Sequence, residues 1–172
     1  MRALAALGLA LLPLLVHAGP PYVLRVVPQQ MGFTLHGAGG LPETLPQLQL
    51  DAGGEIEDQV DFGSPAITAD GRTVAWLAYY PNCCTSYPIP RELVVFRDGA
   101  VLQRFGSDGA PVWKWRFVKR GAAVELYQNT VHGDFAPRYE RRAIANGRLL
   151  AAYEGAANAK APAWVRALDA LP

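Results

Sequence analysis

Cys83 and Cys84 are adjacent, and they are the only cysteines in the 172-residue chain. In an oxidising compartment thiols normally end up paired, and here each has no intramolecular partner but its neighbour. A bridge between neighbours is strained, because adjacent Cα atoms sit about 3.8 Å apart, below the usual disulfide span of about 4.4–6.8 Å. Relief requires a distorted or cis peptide, a conformation found most often at functional sites. A strained bridge is also more easily reduced. Pro81, Pro88 and Pro90 flank the pair and limit the unfolded freedom of its loop. Four chemistries are open to it. It could be a local staple that stiffens the loop, or a rigid platform on which a ligand ring or sugar face rests beside Tyr87. It could also form an intermolecular disulfide. A thiol redox site fits least, since the two-residue spacer of C-x-x-C is missing.

His132 and Asp134 form the second constellation, in the run Thr130-Val131-His132-Gly133-Asp134-Phe135. A histidine titrates near neutrality and a close carboxylate can orient it, which suits acid–base or ligand-binding work. The plainer assignment is Asp134 capping the loop and His132 as a hydrogen-bonded turn residue. A metal site would need more ligands than these two, so no metal is expected. No cofactor is expected either: no glycine-rich phosphate loop opens a helix, and Ser64, in Gly63-Ser64-Pro65, lacks the G-x-S-x-G elbow. Trp113, Trp115 and Phe117 alternate with Lys114 and Arg116, which predicts a core-facing aromatic stripe on one strand.

The chain's opening residues bear on its compartment. Arg2 is followed by an apolar run from Leu4 to Val16, and Val16-His17-Ala18 has small residues at the two positions a signal peptidase reads. This predicts a signal peptide over 1–18 and a single domain over 19–172, exported to the periplasm or secreted. No cysteine follows the run, so lipid attachment is not indicated, and no later stretch approaches a membrane span. Loss of Arg2 would lower Lys+Arg from 16 to 15, equal to Asp+Glu. Near-zero charge argues against nucleic acid or an anionic membrane surface as main partner.

The elements that must position these residues are predicted to be strands. Apolar residues recur with period two, and Gly and Pro punctuate them about every ten residues. Arg72 to Tyr80 is apolar on both faces, as a central strand would be. Asp98-Gly99 and Asn146-Gly147 each stand between alternating runs and predict tight hairpins, because a type I′ turn needs φ > 0 at both central residues. Ile67-x-x-Asp70-Gly71-Arg72-x-Val74 lines up with Phe117-x-x-Arg120-Gly121-Ala122-x-Val124, fifty positions on. The predicted fold is therefore all-β: two four-stranded blade-like antiparallel repeats, over 61–106 and 111–155, as a partial propeller or packed sheets. Leu48 to Ile56 reads as a hairpin, a degenerate third-strand and fourth-strand pair of an upstream unit. Tyr22 to Val27 reads as one strand in a Gly- and Pro-rich stretch. Pro162 opens a short C-terminal helix over Ala163 to Leu171, whose Trp164, Leu168 and Leu171 share one face and suit a lid over a sheet.

The run Pro65-Ala66-Ile67-Thr68-Ala69-Asp70-Gly71-Arg72, with the apolar strand after it, resembles the blades of periplasmic β-propellers of the TolB type. Ile67 stands where those blades have an aromatic, and Thr68-Ala69 where they have Ser-Pro. The second unit keeps the aromatic at Phe117 and has Arg120-Gly121 for Asp-Gly. The resemblance covers Phe62 to about Gly155, and two blades cannot close a ring of the usual four to eight. The chain must then pack its sheets on each other or assemble with other copies. The resemblance implies a cell-envelope binding role. The expected function is a non-enzymatic binding module for a protein, small-molecule or glycan ligand, using the long second-to-third-strand loops with Cys83, Cys84, Tyr87, His132 and Asp134. The alternatives are an enzyme on an envelope polymer, with His132 and Asp134 as its acid–base pair, or a purely structural protein.

Overall fold

Alternation of apolar and polar residues, cut by turn glycines, builds thirteen strands and one α-helix among the described residues. The structure is a computed structural model that describes residues 23–29, 32–36, 42–43, 45–82, 85–106, 110–133 and 136–172. The predicted signal peptide, Cys83, Cys84 and Asp134 lie outside them.

Strands β1 (Val23–Gln29), β2 (Gly32–His36) and β3 (Pro42–Glu43) form a three-stranded antiparallel sheet. The Gly- and Pro-rich stretch thus holds three strands where the sequence predicted one. Strands β4 (Gln49–Asp51) and β5 (Ile56–Asp58) pair with each other alone. The upstream hairpin is present, and it is not part of a four-stranded unit.

Two four-stranded antiparallel sheets follow, each with its strands side by side in chain order. The first is β6 (Asp61–Ile67), β7 (Thr73–Tyr80), β8 (Ile89–Arg97) and β9 (Ala100–Phe105). The second is β10 (Val112–Val118), β11 (Ala123–Gln128), β12 (Arg138–Ala143) and β13 (Leu149–Glu154). The fold is all-β apart from helix α1 (Ala163–Asp169), and the described strands close no barrel.

Burial shows how the two repeats are related. Phe62, Val74, Trp76 and Phe96 of the first sheet face the upstream strands, where they meet Phe33, Leu35 and Leu50. Their counterparts fifty or forty-eight positions on, Val112, Val124, Leu126 and Ile144, face the first sheet instead. There they meet its opposite side, Ala75, Leu77, Leu93 and Val95. Equivalent faces therefore look the same way, and the sheets stack front to back like successive blades. Trp115 Nε1 adds a hydrogen bond across the stack to the Ser64 carbonyl at 3.1 Å.

Both outer faces of the stacked pair of sheets are covered. Phe33 sets its ring edge-on to Phe62 and Trp76, with centroids 6.0 and 5.9 Å apart. On the other outer face α1 lays Val165 and Leu168 on Tyr139, with Tyr127, Tyr153 and Trp164 around them. Val165 joins Leu168 as the fully buried pair, while Trp164 and Leu171 are half-buried. Charges fix the helix: Tyr139 donates to Asp169 Oδ1 at 2.8 Å, and Lys114 Nζ to the Asp169 carbonyl at 2.7 Å. A cation is favoured there by the partial negative charge of a helix C-terminus. Arg141 lies over the Trp164 ring, 5.0 Å from its centroid, while its Nε donates to buried Glu125 at 2.9 Å.

Two local expectations are corrected. Asp98-Gly99 is the tight turn foreseen, with φ of 51° and 81°. Asn146-Gly147 is not: only Gly147 has positive φ, at 68°, and the Ala143 N–H donates to the Arg148 carbonyl at 2.9 Å around a four-residue loop. The longer loop turns Ile144 into the inter-sheet core, where it is 1 % exposed. In β10, Val112 pairs with Gln128 and Lys114 with Tyr127, so Trp113 is an extra, bulged residue. The bulge puts Val112 rather than Trp113 into the core beside Trp115 and Phe117.

Candidate functional site

In each repeat the second and third strands are joined by a long loop, residues 81–88 and 129–137. Because the repeats stack front to back, both loops leave at the same end. The first is held by side-chain turns: Asn82 Nδ2 donates to Thr85 Oγ1 at 3.0 Å, and Thr85 Oγ1 donates to the Tyr87 carbonyl at 2.6 Å. Asn82 and Thr85 thus tie together the two sides of the Cys83–Cys84 segment. In the second loop the Gly133 N–H donates to the Thr130 carbonyl at 3.2 Å, with Gly133 at φ 73°. The bulged Trp113 pins this loop's base, its Nε1 donating to the Asn129 carbonyl at 3.0 Å.

A recess of about 320 Å³ opens between the two loops. Its polar lining is Asn82, Arg91, Thr130 and His132, and its apolar lining is Ile89, Pro111 and Val131. That volume sits at the small end of the range of about 300–1,000 Å³ for small-molecule sites. Arg91, on β8, is 22 % exposed and stands 3.6 Å from Glu57 Oε2. His132 is exposed, and no carboxylate lines the recess among the described residues. A second recess of about 320 Å³ lies on the other side of Asn82, bounded by Val60, Pro81, Ser86, Tyr87 and Pro88.

The structure therefore places His132 and the first loop at one end of the stack. Asn82 is the wall shared by both recesses. Tyr87 is 55 % exposed and belongs to the second recess, apart from His132. Sequence reasoning missed Arg91, although a signal existed: Arg91-Glu92 interrupts the apolar run Ile89 to Phe96 of its strand. Glu92 is accounted for by the fold, since it accepts from Tyr80 Oη at 2.9 Å and Arg104 Nε at 3.0 Å. Burial, and then the Glu92 charge, push the Tyr80 hydroxyl well above the ordinary tyrosine range.

The opposite end is made of tight turns and holds a smaller hollow of about 160 Å³ among Asp70, Arg72, Arg97 and Asp98. Each of these charges has a partner. Arg72 pairs with Asp98 at 3.2 Å, and Arg97 Nε donates to Thr73 Oγ1 at 2.8 Å. The Thr68 hydroxyl, followed by the Arg72 N–H, holds the Asp70 carboxyl below the usual carboxylate value. This cluster locks turns.

Among the described residues no group of three or more His, Cys, Asp and Glu could hold a metal ion, and no helix is long and apolar enough to cross a membrane. No protein-family model matches the chain, and no curated protein matches it.

Proposed function

We propose that the chain is an exported cell-envelope protein, periplasmic or secreted, that works as a non-enzymatic binding module through the loops at one end of its stack. The observation that carries the reading is the recess between Asn82 and Arg91 of the first repeat and His132 of the second. Two loops nearly fifty residues apart converge there, on a scaffold in which both faces of each four-stranded sheet are used in packing. Rigid sheets that present a loop-lined recess are a common basis for recognition. The front-to-back stacking of meander sheets supports the finer reading of two blades akin to TolB-type propellers. The covered outer faces support a self-contained stack over one that recruits further copies. In this reading Cys83 and Cys84 form a vicinal bridge that stiffens the first loop beside Tyr87.

The test is a nitrogen-15 amide shift titration of the purified protein with a panel of neutral glycans and small organic acids. Shifts confined to Asn82, Ile89 and Thr130 to His132 support the reading. No shift at those amides across the panel overturns it. His132→Asn and Asp134→Asn separate it from the rival enzyme: lost turnover on an envelope extract, at unchanged stability, would favour catalysis.

A further inference from the structure

We infer that the recess between the loops takes a small organic anion, its carboxylate held by Arg91 and His132 and its apolar body laid on Ile89, Pro111 and Val131. The inference rests on the binding reading above and names the ligand's chemistry. A guanidinium carries five N–H donors in a planar fork. Arg91 has one ion-pair partner among the described residues, Glu57, and the 3.6 Å between them is longer than a hydrogen bond. Glu57 is not part of the recess lining, so it can orient Arg91 without filling the site. A fork held at 22 % exposure and lining a recess matches a carboxylate, which accepts two parallel N–H···O bonds from it. Lysine would not offer that geometry.

His132 comes from the other repeat and supplies an N–H donor in either protonation state. A cationic ligand would meet the Arg91 guanidinium in the lining, and like-charge contact opposes such binding. Ile89, at 4 % exposure, and buried Pro111 give the body of the ligand an apolar floor. The carboxylate has two natural sources, a free organic acid or the carboxy-terminus of a peptide.

The experiment titrates the full-length, nitrogen-15-labelled protein with benzoate, with N-acetyl-alanyl-alanine, and with the carboxamide of each. The expected result is that acids shift the amides of Arg91, Thr130 and His132, and that the carboxamides bind at least about tenfold more weakly, as loss of a charge-assisted pair implies. Preference for benzoate assigns the site to free acids, and preference for the peptide acid assigns it to chain ends. Arg91→Gln should lose a similar factor. His132→Gln, on an exposed loop, should weaken acid binding while the rest of the spectrum stays in place. If Arg91→Gln does not fold, His132→Gln and the acid-to-amide comparison on the unaltered protein decide. Acids and carboxamides binding equally at these amides overturns the anion assignment and leaves the binding reading standing. No shift from any of the four probes also overturns it, while the binding reading then rests on the glycan titration.

Discussion

Gly121→Ala tests whether the two repeats stack front to back as described. Gly121 ends the first turn of the second repeat at φ 84°, and a Cβ built there would lie 2.5 Å from Thr68 Cγ2. Thr68 occupies the corresponding turn of the first repeat, so this is a repeat-to-repeat contact. The threonine cannot swing aside freely, because its Oγ1 accepts from the Thr73 N–H at 3.1 Å and donates to Asp70 Oδ1 at 2.5 Å. Two costs follow. Holding alanine in the left-handed region costs about 1–2 kcal/mol. Crowding a well-packed contact adds about 1–3 kcal/mol. The sum, about 2–5 kcal/mol, is a large part of the roughly 5–15 kcal/mol that holds a domain together. Thr68→Ser removes the offending methyl and keeps the hydroxyl, so in that background the backbone cost should remain with only the milder 3.3 Å approach to the residue-68 Cβ. Urea denaturation of wild type, both single variants and the double variant gives the coupling directly. We expect about 1–3 kcal/mol of recovered stability. An identical Gly121→Ala cost in both backgrounds, within about 0.5 kcal/mol, would refute the stacking geometry.

Four shorter predictions concern the packed tyrosines, the C-terminal helix and the cysteine pair. Burial foremost, followed by Asp61, Glu92 and Asp169 respectively, raises the Tyr79, Tyr80 and Tyr139 hydroxyls. Folded values above the unfolded value of about 10 mean that the unfolded chain ionises first, so this contribution is complete below about pH 10 and is lost as pH rises further. Urea midpoints that hold steady from about pH 9 to pH 11 would contradict it. Leu168→Ala, at a site with 0 % exposure, should cost about 2–5 kcal/mol in urea denaturation. Truncation before Pro162 should uncover Tyr127, Tyr139 and Tyr153 and drive self-association in light scattering; a folded monomer would show that α1 is no cap. For Cys83 and Cys84, intact mass after alkylation should show no label before reduction and two after it, and two labels without reductant would sink the vicinal bridge.

Much of the architecture was written in period-two alternation and turn glycines. The two four-stranded antiparallel sheets that the alternation predicts are present, with strands spanning Asp61–Phe105 and Val112–Glu154. Asp98-Gly99 behaved as its local chemistry dictates, because two-residue turns are decided by the residues themselves. Asn146-Gly147 did not, since burying Ile144 in the inter-sheet core outweighs the preference of a dipeptide for a tight turn. Trp113 illustrates the same limit: alternation cannot show where a bulge shifts the face. β2 was hidden among glycines and prolines, although Phe33 and Leu35 do alternate toward the core. The shared end of the loops was legible from the repeat. Arg91 in the same recess was not, because its approach to His132 depends on how one sheet lies on the next.

A meander places its first and third connections at one end and its middle connection at the other, and the two ends here have different freedom to vary. At the tight end Gly121 meets Thr68, and Gly147, at φ 68°, would bring a Cβ 3.0 Å from Gln103 Oε1 of the other repeat. These turns help register one sheet on the next, so substitutions there would cost stability. At the loop end Tyr87 and His132 are exposed. Tyr87→Ala and His132→Ala should therefore each change stability by no more than about 0.5 kcal/mol. Gly147→Ala should cost about 1–2 kcal/mol from the backbone alone, since Gln103 can swing aside. Urea midpoints of the three variants make the comparison. If either loop variant proved as damaging as Gly147→Ala, the loops would be part of the scaffold, and the separation of loop end from locking end would fail.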